Sequence, residues 1–89
     1  MQKLSVVIPC YNEEATLAAV VAQVGTASTA GLTLEIVIVD DCSADRSLAI
    51  AQQLASNDPR IQVFHHAVNQ GKGAALRTGF ASATGDLII

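Results

Sequence analysis

The sequence predicts an α/β domain built on a parallel, doubly wound, Rossmann-like sheet. Short apolar, β-branched segments alternate with segments of helical period, in the order strand–helix three times and then a strand. That order implies right-handed βαβ crossovers. The segment EIVIV (residues 35–39) reads as apolar on both faces, as in a parallel sheet covered by helices on each side. The unusual polar residues cluster just after the strands, where such sheets bind ligands.

Each element has its own signal. LSVVIP (residues 4–9) is short, apolar and β-branched, and predicts a buried strand stopped by Pro9. In YNEEATLAAVVAQVGTAST, Leu17, Val20, Val21 and Val24 fall at helical spacing. Asn12 is the expected N-cap, and Glu13 and Glu14 suit the positive end of the helix. Gly25 or Gly31 is expected to close the segment. After EIVIV, Ser43 or Asp45 can cap a second helix with Leu48, Ala51, Leu54 and Ala55 on its apolar side. IQVFHH (residues 61–66) alternates and predicts a third strand nearer an edge. NQGKGAALRTGFASATG opens with glycines and continues as a helix with Leu76, Phe80 and Ala83 on one side. DLII starts a fourth strand.

Length and composition bound the function. The 89 residues suffice for one small domain, and 51% hydrophobic against 15% charged residues predict a folded chain. The net charge of -3 and the absence of a basic run argue against a nucleic-acid backbone or an anionic membrane surface as the main partner. Cys10 and Cys42 form no CxxC pair, and no His stands at ligand spacing from either, so zinc is not expected. No apolar run reaches the ~18 residues of a spanning helix. The chain stops at Ile89 inside an apolar strand, which suggests the N-terminal part of a longer protein.

Three segments carry candidate chemistry. In VDD, Asp40 and Asp41 follow a strand, where either can be a solvated strand end and Asp41 can also serve as an Asx turn or N-cap. A carboxylate only accepts hydrogen bonds, so one fixed at a ligand crevice selects an edge with N–H donors. Uracil and guanine offer a ring N–H there and adenine does not. In PCYNEE, Tyr11 can stack on a base or merely cover the sheet edge. Glu13 can accept from ribose hydroxyls or act as a first-turn acid. In NQGKGAALRTG, glycines before a helix let the backbone approach a phosphate, and Lys72 adds a positive charge, or the segment is a helix start with a solvated lysine. It is not a P-loop, because His66 stands where the first Gly should and Gly73 where Ser or Thr should. It is not a dinucleotide fingerprint either, because Leu76 replaces the third Gly. His65 and His66 are expected to be structural or exposed.

Taken together, VVIPCYNEE, IVIVDDCSADRS and NQGKGAALRTGFASATGDLII resemble the N-terminal half of inverting family-2 glycosyltransferases of GT-A fold. The resemblance is strongest to the polyprenyl-phosphate, dolichyl-phosphate mannose synthase-like branch, and it runs through essentially all 89 residues. It implies a nucleotide-sugar site at Pro9, Tyr11, Glu13, Val39 and Asp41, with Lys72 near the donor sugar. Asp41 would read the base and Asp40 would orient neighbouring loop groups.

The same resemblance implies a parent enzyme that transfers a sugar from a UDP- or GDP-sugar to an acceptor such as a polyprenyl phosphate. Its location would be cytoplasmic, at the cytoplasmic face of the membrane. It implies Mg²⁺ or Mn²⁺ in the full-length enzyme, held by an Asp-x-Asp motif expected beyond Ile89 together with the catalytic residues. No metal ligand is expected within this chain. Residues 1–89 would then be a nucleotide-binding part, inactive alone, and an unfinished sheet edge would favour a homo-oligomer. Two alternatives are a catalytically incomplete nucleotide-binding fragment and a receiver-type signalling domain. In a receiver the acidic pair follows the first strand rather than the second, and DLII does not end in the phosphorylatable Asp such a domain needs.

Overall fold

A computed structural model describes residues 2–27 and 30–89. Met1, Ser28 and Thr29, which include the end of the first helical segment, lie outside the described residues. The elements run β1 (Lys3–Cys10), α1 (Leu17–Thr26), β2 (Thr33–Asp40), α2 (Ser47–Asn57), β3 (Ile61–His65), α3 (Lys72–Ser82) and β4 (Leu87–Ile88). The sheet order is β3-β2-β1-β4 and the three pairings are all parallel. The chain steps outward from β1 to β3, then crosses back to place β4 on the other side of β1. The crevice for ligands in such a sheet lies beyond the strand carboxyl ends at this reversal.

β2 is buried along almost its whole length because both faces are covered. Ile36 and Ile38 pack with Leu17 and Val21 of α1, Ala51 of α2 and Ile61 of β3. Val37 and Val39 face the other way and pack with Val7 and Ala75 of α3. Each fully buried valine or isoleucine contributes about 1.5–3 kcal/mol relative to an exposed one.

The α3 face departs from the predicted stripe of Leu76, Phe80 and Ala83. Ala74, Ala75 and Gly79 are its buried residues, Leu76 and Ala83 flank them, and Phe80 is exposed. The helix lies so close to the sheet that a Cβ on Gly79 would overlap the Val7 side chain. Small residues meet the bulky valines of the strands, and a larger helical side chain has no room. In α1, Val20 is likewise exposed while Leu17 and Val21 are buried.

Glu35 is the exception to the apolar reading of β2. It is buried, and it accepts from Ser5 Oγ at 2.7 Å, Thr84 N at 2.9 Å and Gln62 Nε2 at 2.8 Å. These bonds fasten the turn before β4 to the amino-terminal end of the sheet. Burial pushes its carboxyl up, but the Thr84 amide, the Ser5 and Thr84 hydroxyls and Lys3 outweigh that and leave it below the usual range. No helix among the described residues is long and apolar enough to cross a membrane.

Candidate functional site

The site forms where the loops after β1 and β2 meet the start of α3. β1 ends at Pro9, which has no N–H for the ladder, and Cys10. The chain then turns through Asn12 at φ 53°, a left-handed conformation that Asn tolerates better than most residues. Side chains of the neighbouring loop satisfy the turn. Asn12 N donates to Ser43 Oγ at 2.9 Å, Glu13 N to Ser47 Oγ at 2.7 Å and Glu14 N to Asp45 Oδ2 at 3.1 Å. In return Ala44 N donates to Asn12 Oδ1 at 2.8 Å.

These bonds explain a correction. α1 starts at Leu17 with Thr16 before it, not at Asn12. Asn12, Glu13 and Glu14 form a separate turn because their amides are bound to the second loop. Glu13 still supports the helix, since its carbonyl accepts from Thr16 N and Leu17 N. At the second helix, Asp45 Oδ1 takes the Ser47 amide at 2.9 Å, whereas Ser43 is committed to Asp40 and Asn12.

The two carboxylates at the end of β2 divide the work. Asp40 is fully buried and accepts from the Ser43 hydroxyl and amide, and His65 Nδ1 lies 3.2 Å from its Oδ2. It orders the loop and does not reach the cleft. Asp41 holds the glycine-rich segment. Its Oδ1 accepts from Gln70 N at 2.9 Å and from His66 Nδ1 at 2.8 Å, and its Oδ2 accepts from Gly71 N at 2.8 Å. The Gln70 amide first, then the His66 ring and the Gly71 amide, hold the Asp41 carboxyl below the ordinary carboxylate range, against the opposing effect of burial.

His66 is the residue that sequence reasoning undervalued. It is 9% exposed and bridges three elements, because its Nε2 lies 2.8 Å from Thr78 Oγ1 on α3. The ionised carboxylate only accepts, so Nδ1 carries a proton, and Nε2 shares its hydrogen bond with the Thr78 hydroxyl. Nothing in HH at a strand end signals this, since it requires knowing that β2 and α3 flank it. His65 is exposed at the surface beside Asp40.

A cleft of about 510 Å³ opens above these groups, within the usual size of a small-molecule site. Pro9, Tyr11, Glu13, Asp41 and Lys72 all line it, so five of the six residues implied by the resemblance come together. Cys10, Asn69, Gly71 and Ala75 complete the wall. Gly71, at φ 92°, lets the chain turn into α3 directly beside Asp41. Tyr11, 49% exposed, leaves its ring open to stacking. Val39 is the exception. It is 0% exposed and its side chain packs among the core valines under α3, so it does not line the cleft. Burial pushes the Cys10 thiol up, against a Ser47 hydrogen bond, and the charge of Asp40 adds to the rise, which disfavours the thiolate.

Residues 5–89 match the family model described as Glycosyl transferase family 2. The chain belongs to that family. That membership, over residues 5–89, sets aside the receiver-type alternative. The chain is 39% identical over 87 residues to a dolichol-phosphate mannosyltransferase of Pyrococcus furiosus, covering 98% of this chain and 24% of that protein. It is 43% identical over 91 residues to an undecaprenyl-phosphate 4-deoxy-4-formamido-L-arabinose transferase of Pseudomonas paraeruginosa, covering 97% of this chain and 26% of that protein. The chain therefore spans about a quarter of the length of the curated relatives it matches.

Solved structures agree on the fold. The mannosyltransferase PcManGT of Pyrobaculum calidifontis, in complex with GDP-Man and Mn²⁺, superposes with a TM-score of 0.83 at 24% identity, covering 98% of this chain and 26% of that one. TarS 1–349 of S. aureus in complex with UDP gives a TM-score of 0.82 at 27% identity, covering 98% of this chain and 26% of that one.

The family-2 resemblance implies a divalent ion, and the carboxylates present do not fit one. Among the described residues no group of three His, Cys, Asp or Glu side chains is placed to hold a metal. Asp40 and Asp41 are engaged as described. Asp86 accepts from Lys3 N at 2.8 Å, at the opposite end of the sheet.

Proposed function

We propose that residues 1–89 are the nucleotide-sugar-binding half of a glycosyltransferase domain. The parent protein transfers a sugar from a UDP- or GDP-sugar to an acceptor such as a polyprenyl phosphate, at the cytoplasmic face of the membrane. The observation that carries this reading is the convergence of Tyr11, Glu13, Asp41 and Lys72 on one cleft at the carboxyl ends of a parallel sheet. The names of the polyprenyl-phosphate relatives support the acceptor class.

Each residue has a part. The Asp41 carboxylate, ionised and fixed, accepts the ring N–H of the base. Tyr11 stacks on the base, and Glu13 accepts from the ribose hydroxyls. Pro9 shapes the floor, and Val39 supports Asp41 from the core rather than touching the ligand. Lys72, with the first amides of α3, faces the diphosphate and donor sugar. The acceptor oxygen attacks the anomeric carbon in line, and the bond to the diphosphate breaks with its electron pair leaving on the nucleotide. Mg²⁺ or Mn²⁺ on the diphosphate belongs to the same proposal, with its ligands outside Asp40, Asp41 and Asp86.

Calorimetric titration of the chain and of Asp41→Asn with UDP, GDP and ADP tests the site. Tighter binding of UDP or GDP than of ADP, weakened at least about tenfold by the substitution, is expected. Equal affinity for all three nucleotides in both proteins would sink the reading.

A further inference from the structure

The two solved folds named above hold different nucleotides, a guanosine one and a uridine one. We infer that this cleft takes a uridine nucleotide in preference to a guanosine one, because His66 occupies the half of Asp41 that a guanine edge would need. The inference rests on the nucleotide-binding reading above and narrows it.

The acceptor inventory of Asp41 decides the matter. A carboxylate has about four lone-pair positions, two on each oxygen. Oδ1 receives His66 Nδ1–H at 2.8 Å and Gln70 N–H at 2.9 Å, which fills it. Oδ2 receives Gly71 N–H at 2.8 Å and keeps one position. Asp41 lines the cleft, and on this inference the remaining position is the one a ligand meets.

Uracil presents one donor, N3–H, between two carbonyls, and one acceptor position suffices. Guanine presents two parallel donors, N1–H and the exocyclic amine, which suit both oxygens of a carboxylate at once. With Oδ1 filled, the amine finds no acceptor on Asp41. Leaving a donor unpaired in a partly dry site is costly. Cytosine offers only its exocyclic amine on the same edge and sets its N3 acceptor against the carboxylate, so it should bind more weakly.

His66 cannot readily yield the oxygen. It is buried, and the Thr78 hydroxyl on α3 holds its far nitrogen at 2.8 Å. The Gln70 amide is held by its place next to Gly71, at the start of α3. His66 is thus a positioning residue that sets specificity through Asp41 without touching the base.

The test is calorimetry with UDP, GDP, CDP and ADP on the 89-residue chain and three variants, each checked for folding by circular dichroism. The unaltered chain should bind UDP about tenfold more tightly than GDP, and CDP and ADP more weakly still. His66→Leu frees one position on Oδ1 and should shift the UDP:GDP ratio toward GDP by severalfold. His66→Asn, whose amide N–H₂ can stand in for Nδ1–H, should restore the uridine preference. Thr78→Val removes only the anchor of the ring, and should narrow the ratio partway even if the leucine variant does not fold. GDP binding as tightly as UDP, with both exceeding ADP, overturns the inference and leaves the broader reading standing. A ratio unmoved in both His66→Leu and Thr78→Val removes the role of His66. Equal binding of all four nucleotides overturns the nucleotide-site reading and this inference together.

Discussion

The backbone amide of Gly71 lies 2.8 Å from Asp41 Oδ2, so a bond across 30 residues of chain joins the end of β2 to the turn that opens α3. With the Gln70 amide on the other oxygen, Asp41 is the anchor of the glycine-rich segment as well as one of two acidic residues lining the cleft, with Glu13. Under the proposed function, base recognition and phosphate-side geometry would be linked through this one side chain.

Removing that anchor should loosen the loop before it unfolds the domain. In Asp41→Ala the Gln70 and Gly71 amides lose their acceptor, and His66 loses its partner. Hydrogen exchange at these two amides should accelerate at least about tenfold, while amides of the central strand β2 stay protected. UDP affinity should fall by at least about tenfold. Unchanged exchange at Gln70 and Gly71 would show that Asp41 does not hold the loop.

Acid should weaken the fold through Asp41 and Glu35. The Gln70 amide chiefly depresses the first carboxyl, and for the second the Thr84 and Ser5 bonds overcome the upward push of burial. A depressed folded pKa gives stability that is complete above the unfolded value of about 3.9–4.3 and is lost as pH falls through the lower folded value. The melting temperature should drop as pH falls below about 4. Glu35→Gln should flatten the acid limb of that curve, which a pH series of thermal melts measures.

Glu35→Gln at neutral pH should separate stability from binding. The glutamine keeps one acceptor oxygen where the carboxylate received the Ser5 hydroxyl, the Thr84 amide and the Gln62 amide. The cost should be about 1–3 kcal/mol by denaturant titration. Nucleotide affinity should not move, because Glu35 sits at the amino-terminal end of the sheet and the cleft at the other.

Gly79→Ala tests the close approach of α3. The new methyl meets Val7 and Val39 where there is no space, and overpacking of this kind costs about 1–3 kcal/mol. Alanine is the better helix former by about 1 kcal/mol, so a net loss of stability would show that packing prevails over propensity. A more stable variant would mean that α3 can retreat from the sheet.

Much of this protein is written locally. Runs of β-branched residues and helical spacing set the order of strands and helices. Pro9, the acidic pair and the glycines on either side of Lys72 marked the three segments that build the cleft. The edge placement of β3 followed from its alternation. These features depend on a few neighbouring residues, so a linear reading reaches them.

The rest was decided by which segments the tertiary structure brings together. The N-cap moved from Asn12 to Thr16 because the side chains of Ser43, Asp45 and Ser47, more than thirty residues away, took the amides of the turn. Val39 went to the core because the register of β2 turns it under α3. His66 gained its place only when the sheet order set β3 beside β2 and α3 packed over β1 and β2, with Thr78 within reach of the ring. Period and composition describe one segment at a time. The use of each Asp41 lone pair is settled by donors from β3 and the α3 turn, and only the folded chain supplies them.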